Sequence, residues 1–119
     1  MEERISKLLS DILTSSERIQ TMLEGMTLDG FLSPASMTVQ DAVARRFTII
    51  GEAAAALMRD YPEFCATHPE IPIRQARGMR NSLVHDYDGV DWGILWTTGK
   101  NELPTLTDAI RTLLNTHGE

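Results

Sequence analysis

An arginine and a histidine five positions apart, Arg80 and His85, are the residues of this 119-residue chain best suited to chemistry. Arginine keeps its proton and presents a planar fork of donors that fits phosphate oxygens. Histidine gives or takes a proton readily near neutral pH. Together they form the minimum set for cleaving a phosphodiester without a metal, because one group moves protons and the other holds negative charge on phosphorus.

The spacing of this pair restricts how the two side chains can meet. On a regular helix, Arg80 and His85 lie about 140° apart around the axis and about 7.5 Å apart along it. Either the helix unwinds near His85, or a second copy of the chain completes the site. We favour the second alternative, which predicts a two-fold homodimer with two equivalent sites beside its axis.

A purely structural role for these residues is the competing interpretation, since Arg-x4-His also occurs by chance. Arg80 could pair with Glu52, and His85 could be stabilised at a helix C-terminus by the helix dipole. Glu52 stands in the small, apolar run 51–54, GEAA. A carboxylate on such a face is costly unless it is paired, and an arginine on the facing helix is its natural partner. We therefore expect Glu52 to be an accessory residue that anchors the arginines.

Charge narrows the possible partners. The chain has 17 acidic and 11 basic residues and a net charge of −6, which argues against a protein that binds nucleic acid non-specifically through a broad basic surface. Residues 71–84 nevertheless contain no acidic residue and three arginines, Arg74, Arg77 and Arg80, which we call the basic strip. This distribution suits one anionic group held at one place.

Other chemistries find little support. One cysteine, Cys65, and three scattered histidines make no zinc pattern, and no Glu-x-x-His or Gly-rich phosphate loop is present, so we expect no metal and no cofactor. His68 and His117 are predicted to be solvent-exposed. The lone cysteine, the acidic start and the lack of a long apolar run predict a cytoplasmic protein with no membrane association.

Apolar residues recur at helical spacing in four stretches, and no stretch alternates as a strand does. The first helix is predicted at 3–24, followed by a loop at 29–34. The second begins near Thr38 as N-cap and stops at Tyr61–Pro62; its small residues from Gly51 onward allow a neighbouring helix to approach closely. The third runs from 73 to near 85. The fourth starts at 92, capped by Asp91, with Trp92 and Trp96 as core or dimer contacts, and breaks near 103 because of Pro104.

These elements predict an all-α, antiparallel four- to five-helix bundle in one domain spanning residues 1–119.

Five segments, in this order and spacing, resemble the HepT-like proteins of the HEPN superfamily of small helical ribonucleases. They are RFTIIGEA at 46–53, IPIR at 71–74, GMRN at 78–81, LVHDY at 83–87 and NELP at 101–104. The resemblance covers nearly the whole chain, and the Arg-x4-His-x-Tyr core is its most specific part. Two departures, Ile73 where tryptophan is frequent and Gly99 where the family carries a bulkier residue, concern local packing.

The resemblance implies that Arg80 and His85 are the catalytic pair of a metal-independent RNA endonuclease, with Asn81 as an accessory residue. It implies that Tyr87 is the tyrosine that an MntA-like nucleotidyltransferase antitoxin modifies with AMP. The protein is then the toxin of a type VII-like toxin–antitoxin system and dimerises through the helices that carry the motif. The RNA could be a tRNA or an mRNA, and DNA, which lacks the 2′-OH, should not be cut.

A second hypothesis stays open at this point. The chain could be a non-catalytic helical module that binds a nucleotide or docks a nucleotidyltransferase through its basic strip. Its acidic overall charge favours this alternative slightly, because free RNA is attracted weakly to such a protein.

Overall fold

The architecture is described by a computed structural model covering residues 1–80 and 89–117. Helices dominate these residues and no strand occurs among them, which confirms the all-α fold class. Seven α-helices follow one another in these ranges: α1 Glu3–Leu23, α2 Leu28–Leu32, α3 Met37–Asp60, α4 Pro62–Thr67, α5 Ile73–Gly78, α6 Trp92–Asn101 and α7 Leu103–His117.

The core lies between α1 and the two helices that pack along it, α3 and α7. Buried residues on α1 recur every three or four positions, so one stripe of the helix faces inward. The corresponding stripes on α3 and α7 complete one contiguous cluster. The most deeply buried side chains of these helices include Leu9, Ile12, Ile19, Phe47, Ile50, Leu57, Leu106 and Ile110.

The segment predicted as a loop at 29–34 is mostly helical, so that prediction was wrong. Thr27 caps α2, its Oγ1 accepting from the Gly30 amide at 3.0 Å, and a 3-10 turn follows at Pro34–Ser36. The reason is Phe31, which is fully buried, with its ring centroid 5.6 Å from that of Trp96 and 6.3 Å from that of Trp92. The helical turn places this aromatic anchor in the core and confirms the tryptophans as core contacts.

The start of α3 also differs from the prediction. The helix begins at Met37 after Ser36, and no side chain caps it, so Thr38 is not the N-cap. The preceding 3-10 turn runs directly into the helix, with the Met37 amide donating to the Pro34 carbonyl, which makes a capping side chain at 38 unnecessary. Its end at Asp60, just before Tyr61–Pro62, is as predicted.

The break in the last helical region is confirmed. The Asp91 carboxylate accepts from the Ile94 amide at 3.1 Å and caps α6, and Glu102 separates α6 from α7. The packing at Gly99 explains why this chain has glycine where the family carries a bulkier residue, because a Cβ there would lie 2.7 Å from Leu23 Cδ1. The small residue lets α6 lie directly on α1.

Among the described residues, no helix combines the length and apolar character that crossing a membrane requires.

Candidate functional site

Arg80 stands at the end of a short segment that is anchored against α3. Ile73 and Ala76 on α5 are buried, and so is Met79 in the turn that follows, whereas Arg80 is exposed. The Met79 amide donates to the Ala76 carbonyl at 3.2 Å, which continues the helical path beyond Gly78. Three buried residues at three-residue steps therefore fix the backbone from which the Arg80 side chain projects.

The close approach predicted at the small residues of α3 occurs at Gly51. A Cβ built on this buried glycine would lie 2.5 Å from Arg80 Cβ and 2.9 Å from both Arg80 Cγ and its backbone nitrogen. Real Cβ atoms do not approach other atoms so closely, so only glycine allows this contact. The base of the Arg80 side chain thus rests on α3, while the residue as a whole remains exposed to solvent.

All three arginines of the basic strip are exposed. Within the residues 1–80 and 89–117, none of them takes part in an ion pair; the paired arginines there are Arg4, Arg59 and Arg111. In this part of the chain the strip keeps its positive charge uncompensated by a neighbouring carboxylate. Such an exposed row of guanidinium groups suits the oxygens of a phosphate.

Glu52 does not lie where the sequence suggested. Its side chain is exposed, although its neighbours Gly51 and Ala53 are buried, so the expectation of a costly carboxylate on an apolar face was wrong. The reason is helical rotation, which turns position 52 about 100° away from position 51. No ion pair joins Glu52 to Arg80 among the described residues. The accessory role of Glu52 stays a prediction.

The helix predicted from 73 to near 85 is shorter than expected: α5 ends at Gly78, and Met79 and Arg80 lie in the turn that follows. Asn81, His85 and Tyr87 lie outside the described residues. Of the predicted Arg–His pair, the structure therefore places Arg80. That the imidazole of a second copy completes the site at Arg80 stays a prediction.

Three other titratable residues, His68, His117 and Cys65, are placed in ways that bear on chemistry. His68 is half-buried, so its predicted exposure was wrong. Its ring stacks on Phe64 of α4 at a centroid distance of 4.3 Å, and its Nδ1 lies 3.0 Å from the Phe64 carbonyl oxygen. These two contacts hold the imidazole against α4. His117 is exposed, as predicted. Burial raises the pKa of the Cys65 thiol, which disfavours the nucleophilic thiolate.

Metal-ligating residues are dispersed in the part of the chain that the structure describes: no three His, Cys, Asp or Glu side chains there come together as a metal site.

Sequence reasoning missed a groove beside Arg80, between α5 and the junction of α6 with α7. It contains two neighbouring cavities of about 270 Å³ and 200 Å³, and Gln75, Met79 and Glu102 line both. Met79 directly precedes Arg80 in the chain, so the lining of the groove reaches the residue next to Arg80. The segment NELP at 101–104 was the available signal, but its spacing alone gives no hint that it faces α5.

Comparison with known proteins gives a consistent result. The family model described as "Ribonuclease HepT-like" matches residues 12–113. A protein of Thermococcus cleftensis named probable ribonuclease HepT is 38% identical over 98 residues, which cover 82% of this chain and 84% of that protein. A Methanocaldococcus jannaschii protein named as a candidate RNase is 33% identical over 102 residues, covering 86% and 84% of the two chains. No solved structure matches this chain.

Proposed function

The chain belongs to the ribonuclease HepT-like family of the HEPN superfamily, a family of RNA endonucleases, and we propose that it cleaves RNA with Arg80 and His85 as its catalytic pair. The observation that carries the proposal is the contact between Gly51 and Arg80, which holds the base of an exposed arginine side chain in a fixed position.

The reaction proposed is a transesterification within the RNA strand. The 2′-OH attacks the adjacent phosphorus, the bond to the 5′ oxygen of the next nucleotide breaks, and a cyclic phosphate remains. His85 acts as general base or general acid, and Arg80 stabilises the negative charge that builds on the phosphoryl oxygens. Because the nucleophile is the ribose hydroxyl, DNA is not a substrate. Asn81 and Glu52 are proposed as accessory residues.

Arg80 suits this role because its position is fixed before substrate arrives. Electrostatic stabilisation is most effective when the charged group needs no rearrangement as the transition state forms. The buried residues Ile73, Ala76 and Met79 hold the backbone, and Gly51 supports the first side-chain carbons. The rest of the long side chain stays exposed and can reach an incoming phosphate.

We propose that the functional form is a two-fold homodimer. The sequence spacing motivates this proposal, because a regular helix over 80–85 would point the Arg80 and His85 side chains about 140° apart, and a second copy would then bring the histidine of one chain to the arginine of the other. Mixing inactive Arg80→Ala and His85→Ala proteins tests this directly. If each site takes its two residues from different chains, one site of the mixed dimer is complete and activity returns.

Tyr87 is proposed as the point of control, with the protein acting as a cytoplasmic toxin of a type VII-like system. An MntA-like nucleotidyltransferase antitoxin would attach AMP to its hydroxyl, adding bulk and negative charge two residues from His85. Both effects would exclude an RNA phosphate. Incubation with such a partner and ATP should add the mass of AMP at Tyr87, and a Tyr87→Phe protein should escape neutralisation.

The decisive experiment compares cleavage of one oligoribonucleotide by the wild type, Arg80→Ala and His85→Ala. Both variants should lose activity by about 100-fold or more, with unchanged helical circular dichroism. The control Arg18→Ala, which changes an exposed arginine on α1, should cleave as the wild type does. The products should carry a cyclic phosphate, and the matching DNA should remain intact. If either variant cuts RNA as the wild type does, or if the wild type binds RNA without cutting it, a non-catalytic module is the better description.

A further inference from the structure

We propose that the groove beside Arg80 is a base-binding subsite, selective for guanine, for the nucleotide next to the scissile phosphate. The inference rests on the proposed function, because it places the RNA strand by the phosphate that Arg80 holds. The groove lies between α5 and the α6–α7 junction, and all the residues named for it are within the described part of the chain.

The size of the groove fits one base. Its two cavities, about 270 Å³ and 200 Å³, are each smaller than the roughly 300–1,000 Å³ typical of pockets for drug-sized ligands. Its floor is apolar, formed by Phe47, Met79 and Leu95, all of which are buried. Single-stranded RNA is commonly recognised by splayed-out bases that stack on flat side chains such as aromatic rings and form hydrogen bonds at their edges; here the apolar floor would take the face of the base.

The rim supplies the groups that would read the base edge. Gln75 on α5 and Glu102 between α6 and α7 are exposed and line both cavities. No ion pair involves Glu102 within the ranges that the structure covers. A carboxylate without a cationic partner repels phosphate but accepts hydrogen bonds, so this groove suits a base, whereas the basic strip suits the backbone.

The chemistry of the carboxylate selects among the four bases. Two adjacent donors, N1–H and the N2 amino group, lie on the Watson–Crick edge of guanine and match the two oxygens of Glu102. Adenine and cytosine present a donor beside an acceptor on that edge, and uracil presents one N–H between two acceptors. The Gln75 carboxamide can donate to the guanine O6, the remaining acceptor on the same edge.

Binding of uncleavable RNA tests the subsite without depending on catalysis. The probes are fluorescent oligoadenylates with 2′-O-methyl riboses that carry one central guanine, inosine or adenine. The wild type should bind the guanine probe about ten-fold more tightly than the adenine probe, with inosine between them because it lacks the N2 amino group. Glu102→Gln should lose this preference, whereas Glu63→Gln, which changes an exposed carboxylate on α4, should keep it.

Two results would overturn the subsite: equal binding of the guanine and adenine probes by the wild type, or an unchanged preference in Glu102→Gln. Cleavage of the matching 2′-OH probes is followed separately. Cleavage without guanine preference leaves the nuclease and removes the subsite, while guanine-selective binding without cleavage keeps the subsite and removes the nuclease.

Discussion

Replacing Gly51 by alanine should disable the proposed site without unfolding the protein. The new Cβ would stand 2.5 Å from Arg80 Cβ and 2.9 Å from the Arg80 backbone nitrogen. Carbon atoms in ordinary contact are about 3.5–4.0 Å apart, so the Arg80 segment must move by about 1 Å. A misplacement of this size can lower a catalytic rate by about 100-fold, and we expect a loss of that order in Gly51→Ala.

The stability of Gly51→Ala should change far less than its activity. Overpacking of a tight contact costs about 1–3 kcal/mol, and alanine recovers about 1 kcal/mol of helix propensity relative to glycine inside α3. The net loss is then up to about 2 kcal/mol, or a fall in Tm of up to about 8 °C for a chain of this length. Most of the protein therefore stays folded at the temperature of the RNA assay.

Two control variants separate displacement of Arg80 from strain in general. Gly99→Ala places its Cβ 2.7 Å from Leu23 Cδ1, the end of a side chain that can shift more easily than the Arg80 backbone, at the contact between α6 and α1; it should lower Tm no more than Gly51→Ala does and leave cleavage nearly unchanged. Gly93→Ala, also inside α6, meets Asp91 at an ordinary 3.4 Å; it should leave cleavage unchanged and raise Tm slightly through the helix propensity of alanine. The assay is initial-rate cleavage of a fluorophore–quencher RNA beside thermal melts. Wild-type activity in Gly51→Ala at an unchanged Tm would refute the argument that Gly51 positions Arg80.

Three further predictions concern the stability of the fold. Hydrogen bonds from Arg59 and Arg4 lower the pKa of Asp60 to about 2. The stabilising contribution of the Asp60 carboxylate is therefore complete above the ordinary carboxyl pKa of 3.8 and is lost as pH falls through about 2. The Tm of Asp60→Asn should lie below that of the wild type at pH 7, and the two Tm values should converge near pH 2. Ser16→Ala should raise the free energy of unfolding by about 1 kcal/mol, because the buried Ser16 hydroxyl has no hydrogen-bond partner among the described residues. A lower free energy of unfolding for this variant in urea denaturation would contradict the prediction. Asp91→Ala should lower that free energy by about 1 kcal/mol by removing the cap of α6, and an unchanged urea midpoint would contradict that role.

Helix positions with a strong local signal were predictable from the sequence. The stripe on α1, the stop at Pro62, the cap at Asp91 and the break near Pro104 each depend on residues within about one turn of the feature itself. The helical turn at Leu28–Leu32 was missed because its stability comes from Phe31 packing on the tryptophans of α6, about sixty residues away in the chain.

The candidate site divides in the same way. Residue types and spacing alone singled out Arg80 and His85, because the capacity to hold or transfer charge belongs to the side chain itself, whereas the role of Tyr87 came from the family resemblance. Which groups surround Arg80 depends on the packing of α5 against α3 and on the approach of the α6–α7 junction. Tertiary structure therefore decided that Gly51 supports Arg80, that Glu52 faces solvent and that Glu102 lines the neighbouring groove. Contacts between distant segments follow from how whole helices bury their apolar faces, and no local pattern encodes them.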